Sequence, residues 1–146
     1  MGSRTKARAR ALQVLYAWEL RGGEEPLARV NQELSAPGER TGEPEVREYT
    51  DKILATIADA LPEIDSRLEA LAEHWRLSRM ATVDRNILRI AAAEMLYLDD
   101  VPLRVSLHEA IRLAEWFGTE ESSRFVNGVL DALFRELEPE QLGDAR

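Results

Sequence analysis

The chain has 146 residues, a formal net charge of −8, 45% hydrophobic residues and 32% charged residues. This composition is typical of a soluble globular protein and excludes a disordered or fibrous chain. The absence of cysteine excludes disulfides and thiolate metal ligands. No long apolar run is present, and none follows the basic N-terminus, so we expect neither a membrane helix nor a signal peptide and place the protein in the cytoplasm.

The charge is unevenly distributed along the sequence. The first ten residues contain Arg4, Lys6, Arg8 and Arg10 and no acidic residue, and we call this segment the basic head. Apart from these four cations, the chain has 15 basic and 27 acidic residues, so the remainder carries a formal charge of −12. Clustered cations attract polyanions even on an acidic protein, and they oppose the dipole of a helix that begins there. The segment therefore indicates either a nucleic-acid contact or a solvated tail without a specific role.

Helical periodicity predicts three helices in the first part of the chain. The first runs from the basic head until Gly22, and the second begins after Pro26. Residues 36–44 are the most evident linker, because they combine proline, glycine and charged residues. A third helix covers about 46–61, and Pro62 stops or restarts it because proline lacks the backbone donor.

Four further helices are predicted in the second part. The fourth covers about 64–75, with Trp75 as its last inward-facing residue. The fifth covers about 83–98 and the sixth about 103–117. The seventh begins after Glu121, since acidic residues favour a helix N-terminus.

Strand-like alternation and internal repeats are both lacking in the sequence. We therefore predict an all-α fold, a compact bundle of about seven helices in a single domain. Its two small helical halves cover about 4–61 and about 62–137, and they are split near Pro62. The same apolar stripes close the core of a monomer or of a homodimer, so the sequence leaves both states open.

Residues suited to catalysis or metal binding are sparse. The two histidines, His74 and His108, lie in different predicted helices, and neither has a partner at metal-ligand spacing. The sequence after His108 places Arg112 where a zinc motif needs its second histidine. The paired carboxylates fall at helix ends or loops, where they favour the helix dipole or solvent. We expect no enzymatic activity, no metal and no cofactor.

A second candidate element is the segment SSRFVNGVLD at 122–131. Asn127 and Gly128 are poor choices inside a helix, where glycine costs about 1 kcal/mol relative to alanine. Close helix packing is the favoured explanation for Gly128. Phe125, beside Arg124 at the edge of the apolar stripe, suits a base-stacking ring as well as it suits an ordinary core residue.

Three segments taken together resemble the NusB family of bacterial transcription antitermination factors. They are RTKARARALQVLYAW at 4–18, VDRNILRIAAAEML at 83–96, and VPLRVSLHEAIRLAEWFGTEESSRFVNGVLDAL at 101–133. The most specific signal is HEAIRLAEWFG followed at this distance by RFVNGVLD. The resemblance extends over about 4–133, although residues 21–50 contribute little to it.

The resemblance implies a non-enzymatic, all-helical RNA-binding protein that pairs with the ribosomal protein NusE. The pair recognises the single-stranded boxA element of ribosomal RNA transcripts and helps RNA polymerase resist termination. By position, the implied RNA-binding residues are Arg4, Lys6, Arg8, Glu121, Arg124 and Phe125. The implied NusE contacts are Tyr16 and Asp84, for which a stripe-edge core tyrosine and a first-turn acid are the structural alternatives. The acidic remainder of the chain suits a basic ribosomal partner.

Two other functions fit the same fold. Ribosomal RNA cytosine methyltransferases carry a NusB-like domain before their catalytic domain, and a helical adaptor binds only protein. For the RNA-binding function we expect three to five neutralised phosphates, hence a log-log salt slope of about −2 to −3.5. We also expect Arg4→Glu combined with Arg8→Glu to weaken RNA binding while leaving thermal stability nearly unchanged.

Overall fold

A computed structural model describes residues 2–35, 43–73 and 75–144, with side chains as far as residue 138. The described part is helical, which confirms the all-α prediction. Its helices are α1 (Ser3–Leu20), α2 (Leu27–Leu34), α3 (Pro44–Leu71), α4 (Thr82–Tyr97), α5 (Leu103–Phe117) and α6 (Ser122–Asp144), with a short 3₁₀ turn at Leu77–Arg79. The chain divides into two compact units, Met1–Leu61 and Pro62–Arg146. Among the described residues, no helix is long and apolar enough to cross a membrane.

The first unit contains α1, α2 and the first part of α3. Its core is formed by apolar residues at helical spacing: Ala7, Ala11, Leu12, Val14, Leu15, Trp18, Leu27, Val30, Ile53, Leu54 and Ile57. The Trp18 indole N–H donates to the carbonyl of Glu25 at 2.7 Å. The Thr50 hydroxyl donates to the carbonyl of Ala7 at 3.2 Å, so α3 is joined to α1 close to the basic head. Most of the predicted linker at 36–44 lies outside the described residues.

The predicted third and fourth helices correspond to the two parts of α3, which are separated by a kink close to Pro62. Ala60, with φ −124° and ψ 20°, leaves the helical region two residues before Pro62. This distortion is the expected response to a proline ring inside a helix, because the ring crowds the preceding turn and removes one backbone hydrogen bond. With the kinked α3 counted as one helix, the described residues form six α-helices, close to the predicted seven.

The end of α3 corrects the prediction for Trp75. The helix ends at Leu71, and Glu73 adopts a left-handed conformation with φ 50°. A left-handed residue just after the last turn is a common helix ending, although glycine usually supplies it. Trp75 therefore lies outside the helix, and its side chain is 54% exposed rather than part of the core.

The core of the second unit surrounds α4. Every residue from Asn86 to Met95 is buried, and α5 and α6 pack on α4 and on each other. Arg89 is accommodated there by a two-pronged contact with Asp65, with nitrogen–oxygen distances of 2.9 Å, and by a hydrogen bond to the Asn86 amide oxygen. A buried guanidinium requires several hydrogen bonds and a paired charge, since an unpaired buried charge destabilises the fold.

Gly118 and Gly128 in this unit differ in the space around the position where a side chain would begin. A Cβ at Gly118 overlaps the Ser122 hydroxyl and lies 2.8 Å from the Ala114 carbonyl, so the tight turn that joins α5 to α6 requires glycine. A Cβ at Gly128 meets no described atom within 4 Å, and the position is exposed. The packing explanation for Gly128 is therefore wrong.

Candidate nucleic-acid interface

The basic head is a regular part of α1 rather than a frayed tail, since the helix begins at Ser3. Arg4 and Arg8 lie one turn apart, and both guanidinium groups face the ring of Tyr49, at 4.5 Å and 5.6 Å from its centroid. A cation at this distance from an aromatic face is attracted by the ring quadrupole. Arg4 is exposed, whereas Arg8 is only 2% exposed. The head thus has an exposed outer arginine, Arg4, and a buried inner arginine, Arg8, which both contact the ring of the buried Tyr49.

Lys6 points to a different side of α1 and contacts an acid. Its Nζ lies 3.0 Å from Oε1 of Glu43, and the Ser3 hydroxyl lies 3.5 Å from the other carboxylate oxygen. The hydrogen bond from Lys6 and its positive charge hold the pKa of Glu43 below the ordinary glutamate value. Because Lys6 and Glu43 are both about half exposed, the ion pair is a weak surface contact.

Arg10 lies on the same side of α1 as Lys6. Its Nη2 donates to the Ser35 hydroxyl at 3.0 Å, and Ser35 in turn donates to the carbonyl of Asn31. The guanidinium therefore connects α1 to the end of α2. Arg10 therefore has a structural role in the fold and is less exposed than Arg4 and Lys6.

In the second unit, the candidate RNA-binding residues lie at the start of α6. Glu121 and Arg124 are exposed, and Phe125 is half-buried. The Phe125 ring meets Trp75 edge to face, with centroids 6.4 Å apart and planes at 78°. Phe125 is thus neither a free surface ring nor a fully enclosed core residue.

The two candidate partner-binding residues have contrasting surroundings. Tyr16 in α1 is 41% exposed, although the residues beside it in the chain are largely covered. Asp84 lies in the first turn of α4, and its Oδ1 is buried without a hydrogen bond to a described residue. A buried carboxylate oxygen in this state loses the hydration it would have in water.

Two aromatic residues contact the candidate RNA-binding residues but are not identified from the sequence: Tyr49 beside Arg4 and Arg8, and Trp75 beside Phe125. The sequence predicts Tyr49 only as an inward-facing residue of a helix, and Trp75 as a core residue. For Tyr49 no local signal exists, because its arginine partners lie more than forty positions earlier in the sequence. Among the described residues, no group of histidines and carboxylates is placed to hold a metal ion. His108 is exposed, and His74 lies outside the described residues.

Comparisons with known proteins cover nearly the whole chain. The NusB family model matches residues 5–135. The transcription antitermination protein NusB of Chloroherpeton thalassium is 42% identical over 135 residues, which are 92% of this chain and 63% of that protein, so this chain spans less than two thirds of its length. The NusB protein of Sorangium cellulosum is 41% identical over 137 residues, 94% of this chain and 95% of that protein. A crystal structure of the antitermination factors NusB and NusE in complex with double-stranded RNA has a TM-score of 0.81 and 31% identity, and covers 93% of this chain and 98% of that chain.

Proposed function

Because the chain belongs to the NusB family, we propose that it binds the single-stranded boxA RNA of ribosomal RNA transcripts together with the ribosomal protein NusE. In this role it is a non-enzymatic antitermination factor in the cytoplasm that helps RNA polymerase resist termination. Its relatives are named as transcription antitermination proteins. A related NusB was solved with NusE and double-stranded RNA, which supports RNA binding in partnership with NusE.

The observation that carries the proposal is the exposure of Arg4 and Lys6 on a formed helix. Two cations fixed at the start of α1 neutralise phosphates of an RNA strand, which supplies affinity independent of sequence. Arg8 is buried behind Arg4, so it contributes by holding Tyr49 and by adding positive potential rather than by reaching a phosphate.

The second group of proposed RNA contacts is Arg124, Glu121 and Phe125. Arg124 takes a phosphate, Phe125 offers a ring to a base, and the Glu121 carboxylate accepts hydrogen bonds from base amino groups. Both halves of the chain, about 4–61 and about 62–137, therefore belong to one RNA-binding domain.

Tyr16 and Asp84 are the proposed contacts with NusE. Tyr16 is an exposed aromatic side chain, a residue type enriched in protein interfaces. Asp84 is a half-buried acid in the first turn of α4, and its carboxylate offers a negative charge to a basic group of the partner. The acidic remainder of the chain speeds encounter with a basic ribosomal protein.

The test is a titration of labelled boxA RNA, single-stranded and as a duplex, with and without NusE at several salt concentrations. We expect the single strand to bind more tightly when NusE is present, with a log-log salt slope of about −2 to −3.5. Affinity that is independent of salt contradicts the proposal. A protein-only adaptor predicts that NusE binds and RNA does not. Sedimentation of the same samples distinguishes the NusE complex from a homodimer of this chain.

A further inference from the structure

Trp75 is a large aromatic side chain that the fold holds in solvent. The left-handed Glu73 ends α3, and the Trp75 backbone N–H then donates to the carbonyl of Ala72 at 3.3 Å. The indole is 54% exposed. By contrast, the core indole of Trp18 is 8% exposed and its N–H is hydrogen-bonded to a carbonyl. The backbone therefore positions Trp75, and burial in the core does not explain why a tryptophan occupies this position.

The contact with Phe125 fixes the orientation of the indole. The two rings meet edge to face, with 6.4 Å between centroids and 78° between planes. Such pairs are favourable by about 1 kcal/mol beyond the area they bury, so the contact favours this orientation of the indole. Each ring has an exposed arginine next to it in the sequence, since Arg76 follows Trp75 and Arg124 precedes Phe125. Neither guanidinium makes an ion pair with another described residue.

We propose that Trp75 is a second base-stacking residue, which takes one unpaired nucleobase of single-stranded RNA while Phe125 takes another. The inference rests on the proposed RNA-binding function and adds to it a residue that the family resemblance did not supply. Stacking on an exposed indole tolerates any base, because every base has an aromatic face, and neighbouring cations hold the strand by its phosphates.

The perpendicular rings define which RNA fits. Two bases that stack on rings at 78° lie nearly at right angles to each other. Paired bases in a helix are parallel, so a duplex cannot place neighbouring bases on both rings. Splayed nucleotides of a single strand can do so, and this is the usual target of sequence-specific RNA recognition. Trp75 and Phe125 together therefore select single-stranded over double-stranded RNA.

The chain contains a matched control for this pair. Trp116 and Phe117 also meet edge to face, with 6.4 Å between centroids and 86° between planes, and Trp116 is 46% exposed. The residue before Trp116 is the exposed acid Glu115, whereas Arg76 is the neighbour of Trp75. The cation nearest to Trp116 along α5 is Arg112, one turn earlier, and it is ion-paired with Glu109 at 3.8 Å. The Trp116 ring therefore has similar exposure beside an acid and a paired arginine, whereas Arg76 beside Trp75 makes no ion pair with a described residue.

The test measures single-stranded boxA RNA binding to the full chain with NusE present. We expect Trp75→Ala to weaken binding about 5- to 150-fold, the range for loss of one stacked base, and Trp75→Phe to retain most of the affinity. Trp116→Ala is expected to change binding less than about twofold, because its ring contacts no base. In RNAs with one abasic nucleotide, one position should weaken wild-type binding and have no effect on Trp75→Ala.

A fluorescence experiment covers the case in which Trp75→Ala does not fold. RNA should quench the tryptophan emission of Trp116→Phe, which retains Trp75, and should leave that of Trp75→Phe unchanged. Equal binding by Trp75→Ala and Trp116→Ala, or quenching that persists in Trp75→Phe, overturns the stacking role while RNA binding itself remains. A wild-type chain that binds no RNA with NusE present is a different result, because it overturns the proposed function as well.

Discussion

The basic head and the Trp75–Phe125 pair are the two regions proposed to contact RNA, and they differ in chemistry. The head presents charge: Arg4 and Lys6 are exposed on α1, with Arg8 and Tyr49 behind them. The pair presents ring faces, with cations only at its flanks. Charge acts over about 8 to 10 Å and is screened by salt, whereas stacking requires contact and is nearly independent of salt. In the proposed function, the head therefore positions an RNA strand and the rings select among strands.

The largest expected effect separates the two arginines within the head. Arg8→Glu places a carboxylate in a buried position over the Tyr49 ring. We expect the free energy of unfolding to fall by about 3 kcal/mol, since an uncompensated buried charge costs that order of magnitude. The melting temperature, followed by circular dichroism, should fall by about 6 to 12 °C. Arg4→Glu, at an exposed position, is the matched control and should change it by less than about 2 °C.

This prediction revises the expectation that Arg4→Glu combined with Arg8→Glu leaves stability nearly unchanged. The burial of Arg8 makes that double variant a test of the fold as well as of RNA binding. An unchanged melting temperature for Arg8→Glu alone would contradict the inner position of this arginine.

Reversal of the two exposed head cations is the cleaner test of phosphate binding. Arg4→Glu combined with Lys6→Glu should weaken RNA binding by about 100-fold at low salt, because two charged contacts are lost and each is worth about 1.5 kcal/mol. The log-log salt slope should become flatter by about 1.4, or about 0.7 for each phosphate that is no longer neutralised. Arg29→Glu combined with Lys52→Glu makes the same change in net charge at exposed positions of the same unit. An equal effect of that control would mean that overall charge, not the head, sets the affinity.

Phe125→Ala should weaken RNA binding by about tenfold, since one ring face is removed. Unlike the head variants, it should do so by the same factor at low and high salt, so the salt slope stays as in the wild type. Phe117→Ala, which removes another exposed ring of the same unit, serves as the control. A steep change of slope in Phe125→Ala would remove the distinction between the two regions.

The smallest expected effect is a gain of affinity. Glu43→Gln removes the carboxylate that contacts Lys6, so Lys6 is available to a phosphate. RNA binding should become about two- to threefold tighter at low salt, in keeping with the weakness of surface ion pairs, and the gain should disappear at high salt. Glu45→Gln removes an equal charge two residues away and controls for long-range effects. Equal gains in both variants would show that the Lys6 contact is irrelevant.

The same ion pair predicts a pH dependence. Lys6 lowers the pKa of Glu43, so the contribution of the contact to folding is present above the ordinary glutamate pKa. It disappears as the pH falls through the lowered pKa of the folded state. Any difference in unfolding free energy between the wild type and Glu43→Gln should therefore disappear in acid, which a series of denaturant titrations can measure.

The sequence predicted helix bounds best where proline and glycine lie at the two ends of a strong apolar stripe. Pro102 and Gly118 flank α5, and the predicted 103–117 matches its bounds. The kinked α3 was harder, because a proline predicts an interruption without saying whether the helix resumes on the same axis. Trp75 was placed wrongly because the left-handed residue that ends α3 is a glutamate, and no local rule marks glutamate as a helix ending.

The candidate site was less predictable than the fold. A resemblance assigns roles by position, but it does not report that Arg8 is buried while Arg4 is exposed. Those facts depend on Tyr49, which reaches α1 only when α3 packs against it. The assigned roles of the RNA and NusE contacts stay predictions until the titrations above are performed.

The stacking of Arg4 on Tyr49 has a consequence for the thermodynamics of binding. Arginine-rich segments that fold on contact with RNA lose chain entropy when they bind. Here the head is already helical, and the guanidinium is already held over the ring. Preorganisation of this kind lowers the entropic cost of association. Calorimetry of RNA binding should therefore give a small heat-capacity change for the head, and circular dichroism should detect no gain of helix.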